Sequence, residues 1–186
     1  MSGGKLRQNL SRYLMNRELK GMKRSGEVVT YTRASSIGIL YDATHEKDYE
    51  LIKEYVRAMR AQSKDVIALG YYDQQELPNT RFMKLGLDFF TRKALNWRMK
   101  PGNPIVNNFI NKNFDILICL NLKQNIPLRY VSALTRARFK IGKYESGLPN
   151  IYDFEIKMDG QVTLRQMIEQ VNHYLNLIRN DKRQEA

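Results

Sequence analysis

The chain is poor in the residues that most often announce chemistry: one cysteine, one tryptophan, two histidines and five prolines among 186 residues. The single Cys119 cannot make an internal disulfide, which excludes a disulfide scaffold and points to a reducing compartment, the cytoplasm. His45 and His173 lie far apart with no cysteine pair beside them, so no metal-ligand spacing exists and no metal is expected. No apolar run reaches the ~20 residues that span a bilayer. The first 25 residues carry basic side chains throughout and lack the apolar block of a secretory signal. Two phosphate signatures are also missing. No Walker A sequence occurs, and the loop after the first apolar run, Asp42-Ala43-Thr44-His45-Glu46, has none of the glycines of Gly-x-Gly-x-x-Gly. No nucleotide cofactor is expected.

What the chain has is positive charge, and it is segregated. Lys and Arg number 31 against 19 Asp and Glu, a formal net charge of +12. Residues 1–35 hold eight Lys/Arg against Glu18 and Glu27, residues 92–100 hold four against none, and residues 123–143 hold six against none. The remainder is mildly acidic. Gathered charge of this kind presents a basic face to a polyanion. A hydrophobic fraction of 42% with seven Phe and eleven Tyr excludes a disordered basic tail.

Apolar periodicity divides the chain. Leu6, Leu10, Leu14 and then Met15, Leu19, Met22 recur at helical spacing between cations over residues 5–24, a basic amphipathic helix that Ser25-Gly26 ends. The β-branched residues 28–32 read as a short extended segment. From Ser36 onward, apolar runs at 37–41, 66–71, 87–91, 114–122 and 139–141 read as buried strands, and Cys119 sits inside the fourth as a small hydrophobe. Helical patterns lie between them: one capped by Thr44 with Glu46 in its first turn, one opened by Pro104 and one by Pro127. Residues 152–158 alternate like a strand with one face in water. Thr163 and Gln166 form a capping box ahead of Leu164, Met167, Val171, Tyr174 and Ile178.

Strand and helix in alternation imply βαβ units. The expected fold is α/β: a single Rossmann-like, doubly wound, mostly parallel sheet of five or six strands with the alternating strand at an edge. It comprises residues 36–180, preceded by the basic helix and linker of 1–35 and followed by a polar tail, 181–186.

In such a sheet, ligands lie outside the carboxyl ends of the strands. Asp42, His45 and Asp73 fall there and are the candidates for proton transfer. A binding set follows from the basic stretches: Arg7, Arg12, Arg17, Lys20, Lys23 and Arg24 on the first helix; Arg92, Lys93, Trp97, Arg98 and Lys100 in the second stretch; Arg129, Arg136 and Arg138 in the third. Trp97 among four cations combines phosphate neutralisation with base stacking. Arg129 and Arg136 are seven apart, hence on one helical face, where they would form a basic ridge.

The block Phe114-Asp115-Ile116-Leu117-Ile118-Cys119-Leu120-Asn121, then Pro127-Leu128-Arg129-Tyr130-Val131-Ser132-Ala133-Leu134, then Ala137-Arg138-Phe139-Lys140-Ile141-Gly142, resembles an uncharacterised family of small basic Rossmann-like proteins from Bacteroidota, over residues 36–160. The block is also locally similar to the amino-terminal Rossmann domain of heptosyltransferase-type glycosyltransferases. Those enzymes complete their site with a second Rossmann domain, and 44 residues follow Gly142 here, so the likeness implies fold and no catalytic role. The functional expectation is a non-enzymatic protein whose basic face engages RNA or a ribonucleoprotein such as the ribosome. The alternatives are a small transferase-like or hydrolase-like enzyme using the strand-end cleft, and a peripheral protein held on an anionic inner-membrane surface by the first helix.

Overall fold

The structure, a computed structural model, describes residues 2–20, 26–78 and 86–180. Helix α1 (Ser2–Lys20) leads into β1 (Ser36–Asp42), α2 (Glu46–Arg60), β2 (Asp65–Tyr72) and β3 (Leu87–Thr91). A 3-10 turn, Arg92–Ala94, precedes α3 (Pro104–Asn111), β4 (Ile116–Cys119), α4 (Ile126–Leu134), β5 (Phe139–Lys143), β6 (Phe154–Ile156) and α5 (Leu164–Asn180). The strands form one six-stranded sheet in the order β3-β2-β1-β4-β5-β6, parallel at every pairing. This is the doubly wound Rossmann-like arrangement, with the three-residue β6 at an edge.

Alternation along the strands makes two cores. Ile37, Ile39 and Tyr41 of β1 join Ile116 and Ile118 of β4 under α2 and α5. Leu40, Leu117 and Cys119 point to the other face, under α3 and α4. Burial of both faces explains why β1 and β4 read as unbroken apolar runs. The helices start where side chains accept their free N–H groups: Asn103 from Val106 and Asn125 from Leu128. Thr163 and Gln166 close the expected box reciprocally, at 2.9 and 3.3 Å.

Three expectations shift. The residue before α2 is His45, and its ring makes no cap bond; Thr44 instead gives its N–H to Asp42 Oδ1 at 2.9 Å. The extended segment expected over 28–32 gives way to a turn at 31–33, where the Lys64 ammonium holds the Tyr31 and Ala34 carbonyls, and Glu27 N–H ahead of it is bonded to the Arg138 carbonyl. The first helix docks by only part of its expected apolar pattern: Met15 and Leu19 are buried beside Ser11, while Leu6 and Leu10 face out. Met15 and Leu19 join the core that holds Tyr130 of α4, and Glu18 accepts from the Tyr130 hydroxyl at 3.4 Å.

Candidate functional site

Strand order reverses between β1 and β4, so the crevice beyond their carboxyl ends is where this fold offers a site. On the α2 side that crevice is acidic. Asp42 ends β1, and Glu46 and Asp48 occupy the first turn of α2. Burial raises the Asp48 carboxyl, with His45 lowering it and Asp42 raising it further. A phosphate seated at the α2 amino terminus would meet these carboxylates, and no glycine lets backbone approach it. The loop lacks the glycines of a phosphate seat, and the carboxylates beside it oppose an anion there, with Lys47 and His45 between them.

Asp73 lies just past β2 and serves as a bracket. Its Oδ1 accepts from the Tyr71 hydroxyl at 2.6 Å and from Arg92 Nε at 2.8 Å, and its Oδ2 accepts from Arg92 Nη2 at 3.1 Å. The Arg92 fork holds the carboxyl below the usual range despite burial. Its backbone N–H reaches Thr44 Oγ1 at 3.3 Å, tying the ends of β1 and β2 together. Among the described residues no hydrogen bond joins Asp42, His45 and Asp73, and His45 is exposed. The three proton-transfer candidates therefore share an edge of the sheet without forming a nucleophile-and-base pair.

Next to this bracket is a cleft roofed by α1. It has two lobes of about 320 and about 120 Å³ that share Gln8, Tyr71, Asp73 and Met99. Arg7 and Arg92 border the larger lobe, and Arg12 the smaller. Met99 has a φ of 60°, unusual for a residue with a side chain.

The first two basic stretches meet on the outer side of α1. Arg7 donates from Nε to the Trp97 carbonyl and from Nη2 to the Asn96 carbonyl, both at 3.1 Å. Lys100 pairs with Glu18 at 2.6 Å. Between helix and loop runs an open groove of about 720 Å³ bordered by Arg17, Trp97 and Arg98. Trp97 is 59% exposed, and the Arg98 guanidinium stacks on it at 4.7 Å. Arg12, Arg17, Lys20 and Arg98 form no ion pair among the described residues. Lys93 pairs with the exposed Glu76 at 2.8 Å. Lys23 and Arg24 lie outside the described residues.

The third stretch does not join this surface. Arg129 is buried, paired with Glu145 and the Pro149 carbonyl. Helix α4 ends at Leu134, so Arg136 lies beyond it and the expected ridge of Arg129 and Arg136 does not form. Arg138, just before β5, is at the opposite, amino-terminal edge of the sheet, bonded to Glu27 at 2.8 Å and Asp115 at 3.0 Å. Lys140 is buried with its ammonium on the Ser132 and Ala133 carbonyls.

Gln8, Tyr71, Gln75 and Met99 line the cleft and were not expected there. They are scattered along the chain without a shared spacing, so nothing local announces them.

Among the described residues no group of His, Cys, Asp and Glu is placed to hold a metal, and no helix is long and apolar enough to cross a membrane. No curated protein and no solved structure matches the chain. The whole sheet, most of the docked first helix and the covering helices up to two residues short of the end of α5 lie in one matched span: residues 7–178 match DUF6913, a family of unknown function, and the chain belongs to that family.

Proposed function

We propose that this is a non-enzymatic polyanion-binding protein that engages single-stranded RNA, free or within a ribonucleoprotein such as the ribosome, along the groove between α1 and residues 95–101. The reading takes the protein to act in the cytoplasm. The observation that carries it is Trp97, exposed and stacked by Arg98, beside Arg17 on the facing helix. An exposed indole offers a stacking face to any base, and flanking guanidinium groups neutralise the phosphates. Binding of this kind releases counterions and weakens steeply with salt.

Fluorescence anisotropy with a labelled single-stranded RNA oligonucleotide tests it. Trp97→Ala is expected to weaken binding by about 5- to 150-fold, the worth of one stacked base. Arg17→Ala with Arg98→Ala is expected to reduce the slope of log affinity against log salt by about 1.4, two phosphates' worth. Affinity that ignores salt between about 50 and about 200 mM, or ignores these substitutions, sinks the proposal.

One observation favours a second reading. Leu6, Leu10 and Tyr13 lie on the outward face of α1, exposed at 72%, 50% and 64%, and the two leucines neutralise no phosphate. With Arg17 and Lys20 further along the same face, the helix could rest in an anionic membrane surface. Co-sedimentation with phosphatidylserine vesicles that Leu6→Ser with Leu10→Ser abolishes, while RNA affinity stays unchanged, would establish this second role.

A further inference from the structure

We propose that the cleft roofed by α1 at the carboxyl edge of the sheet binds the phosphate group of a small phosphorylated molecule. The cleft shares α1 and the 95–101 loop with the RNA groove but none of the groove's lining residues, and the proposal does not rest on the RNA reading.

Charge is the first argument. Arg7, Arg12 and Arg92 border the two lobes, and among the described lining residues Asp73 is the one carboxylate. Arg92 is neutralised by that carboxylate. The Arg7 bonds go to two carbonyls, so its position is fixed, and among the described residues neither Arg7 nor Arg12 forms an ion pair. Two guanidinium charges on one helix therefore border a concave space: Arg12 with its whole donor fork, which matches phosphate oxygens, and Arg7 with Nη1 and the second Nη2 proton beyond its two carbonyl bonds.

Preorganisation is the second. Arg92 is held by the Asp73 fork, Asp73 by the Tyr71 hydroxyl, and Tyr71 is buried in the core. The Asn96 side chain accepts from the backbone N–H groups of Arg98 and Lys100, at 2.9 and 3.1 Å, closing the loop that carries Met99. Met99, on the wall common to both lobes, is held in the left-handed region, and backbone strain of this sort collects at ligand sites. Gln8, Gln75 and Gln124 supply neutral donors and acceptors for the rest of a ligand.

Position is the third. The customary phosphate seat after β1 is flanked by the carboxylates of Asp42, Glu46 and Asp48. On the other face of the sheet, the first turn of α4 has no acid, and Arg12 borders the same lobe as Gln124 and Asn125. The sheet thus keeps its usual ligand edge and has its cationic side on the face opposite α2.

The test is thermal unfolding and calorimetry of the full chain with inorganic pyrophosphate, a nucleoside diphosphate, ribose 5-phosphate and, as control, an unphosphorylated nucleoside. At hundredfold excess over Kd, a phosphorylated probe is expected to raise Tm by about 5–10 °C while the nucleoside does not. The probe with the largest shift identifies the source: a bare diphosphate, a nucleotide or a sugar phosphate. Arg12→Gln and Arg7→Gln are each expected to lower affinity at least tenfold, with far-UV spectra confirming the fold. Trp97→Ala is expected to leave that affinity unchanged, so this site and the RNA groove stand or fall separately. No shift with any phosphorylated probe, a shift equal to that of the nucleoside, or an affinity that both arginine variants retain overturns the proposal.

Discussion

Arg129 and Lys140 belong to the most basic stretch of the later sequence, and both are inside the protein. Lys140 is 1% exposed, and its ammonium takes the carbonyls of Ser132 and Ala133 at 2.6 and 3.0 Å, in the last turn of α4. Carbonyls at a helix end have no partner within the helix, and a cation there also opposes the negative end of the dipole. Lys140→Met keeps the aliphatic volume and removes the donor, and is expected to cost about 1–3 kcal/mol in urea unfolding. Stability equal to that of the parent would mean the bonds are incidental. Arg129→Met leaves the part-buried Glu145 without its partner and is expected to cost up to about 3 kcal/mol, the low end for a broken buried pair. RNA affinity per folded molecule is expected to be unchanged in both variants, since neither cation reaches the surface. Ser63 is the reverse case. It is exposed with a φ of 61° just past α2, where its N–H closes onto the Arg60 carbonyl, a geometry that glycine adopts without penalty. Ser63→Gly is expected to gain about 0.5–1 kcal/mol, the relief of the left-handed backbone outweighing the added freedom of the unfolded chain.

At the scale of elements, the joint that decides where β1 begins is Asp115. Its Oδ2 accepts the backbone N–H of Ser35 at 2.8 Å and of Ser36 at 3.1 Å, with the Ser35 hydroxyl at 3.1 Å, and its Oδ1 takes Arg138 at 3.0 Å. Burial alone would raise this carboxyl, but the serine N–H groups, Arg138 and the serine hydroxyl bring it below its usual value. A carboxyl lowered by folding stabilises the native state above its unfolded pKa, about 3.9, and that contribution is lost as pH falls through the native value. Asp115→Asn is therefore expected to lower stability at neutral pH, with the gap to the parent closing below about pH 4 in urea titrations. A gap constant with pH would show that the carboxylate charge plays no part. The Asp115 joint was invisible in the sequence because its partners are some eighty residues earlier. The elements themselves were legible wherever one force dominates: the unbroken apolar runs of β1, β2 and β4, the prolines that open α3 and α4, and the box at Thr163. Legibility failed where tertiary contact overrides local preference. Residues 28–32 are rich in β-branched side chains yet pair with no strand, the Thr44 hydroxyl accepts from the Asp73 backbone N–H instead of capping α2, and the Arg129 and Arg136 ridge presumes a helix that stops at Leu134. Of the candidate site, the union of α1 with Trp97 and Arg98 could be expected from composition. The cleft under α1 could not, because its walls come from residues 7–12, 71–75, 92–99 and 124–127.

At the scale of the whole molecule, one sheet ties the chain into a single unit. Ile37 of β1 pairs with Val66 on one side and with Ile116 on the other, so the centre of the sheet assembles only when distant segments meet. Each face is then closed by helices, and α1, though first in sequence, is packed into the core of the α3 and α4 side. Cys119 reports on this arrangement. It is fully buried in β4, its sulfur 3.0 Å from Ser132 Oγ, and burial pushes its thiol up to about 11. A protonated thiol without solvent access does not react, so labelling must wait for an opening that exposes the central strand. If the sheet opens as one unit, the labelling rate of native protein under a thiol reagent at pH 8 is expected to rise with urea with the slope of global unfolding measured by circular dichroism. Fast labelling without urea, or a much shallower slope, would mean that α4 lifts from the sheet by itself. That outcome would also weaken the case for the cleft, since the lobe beside Arg12 is partly walled by the first turn of α4 and needs that helix fixed in place.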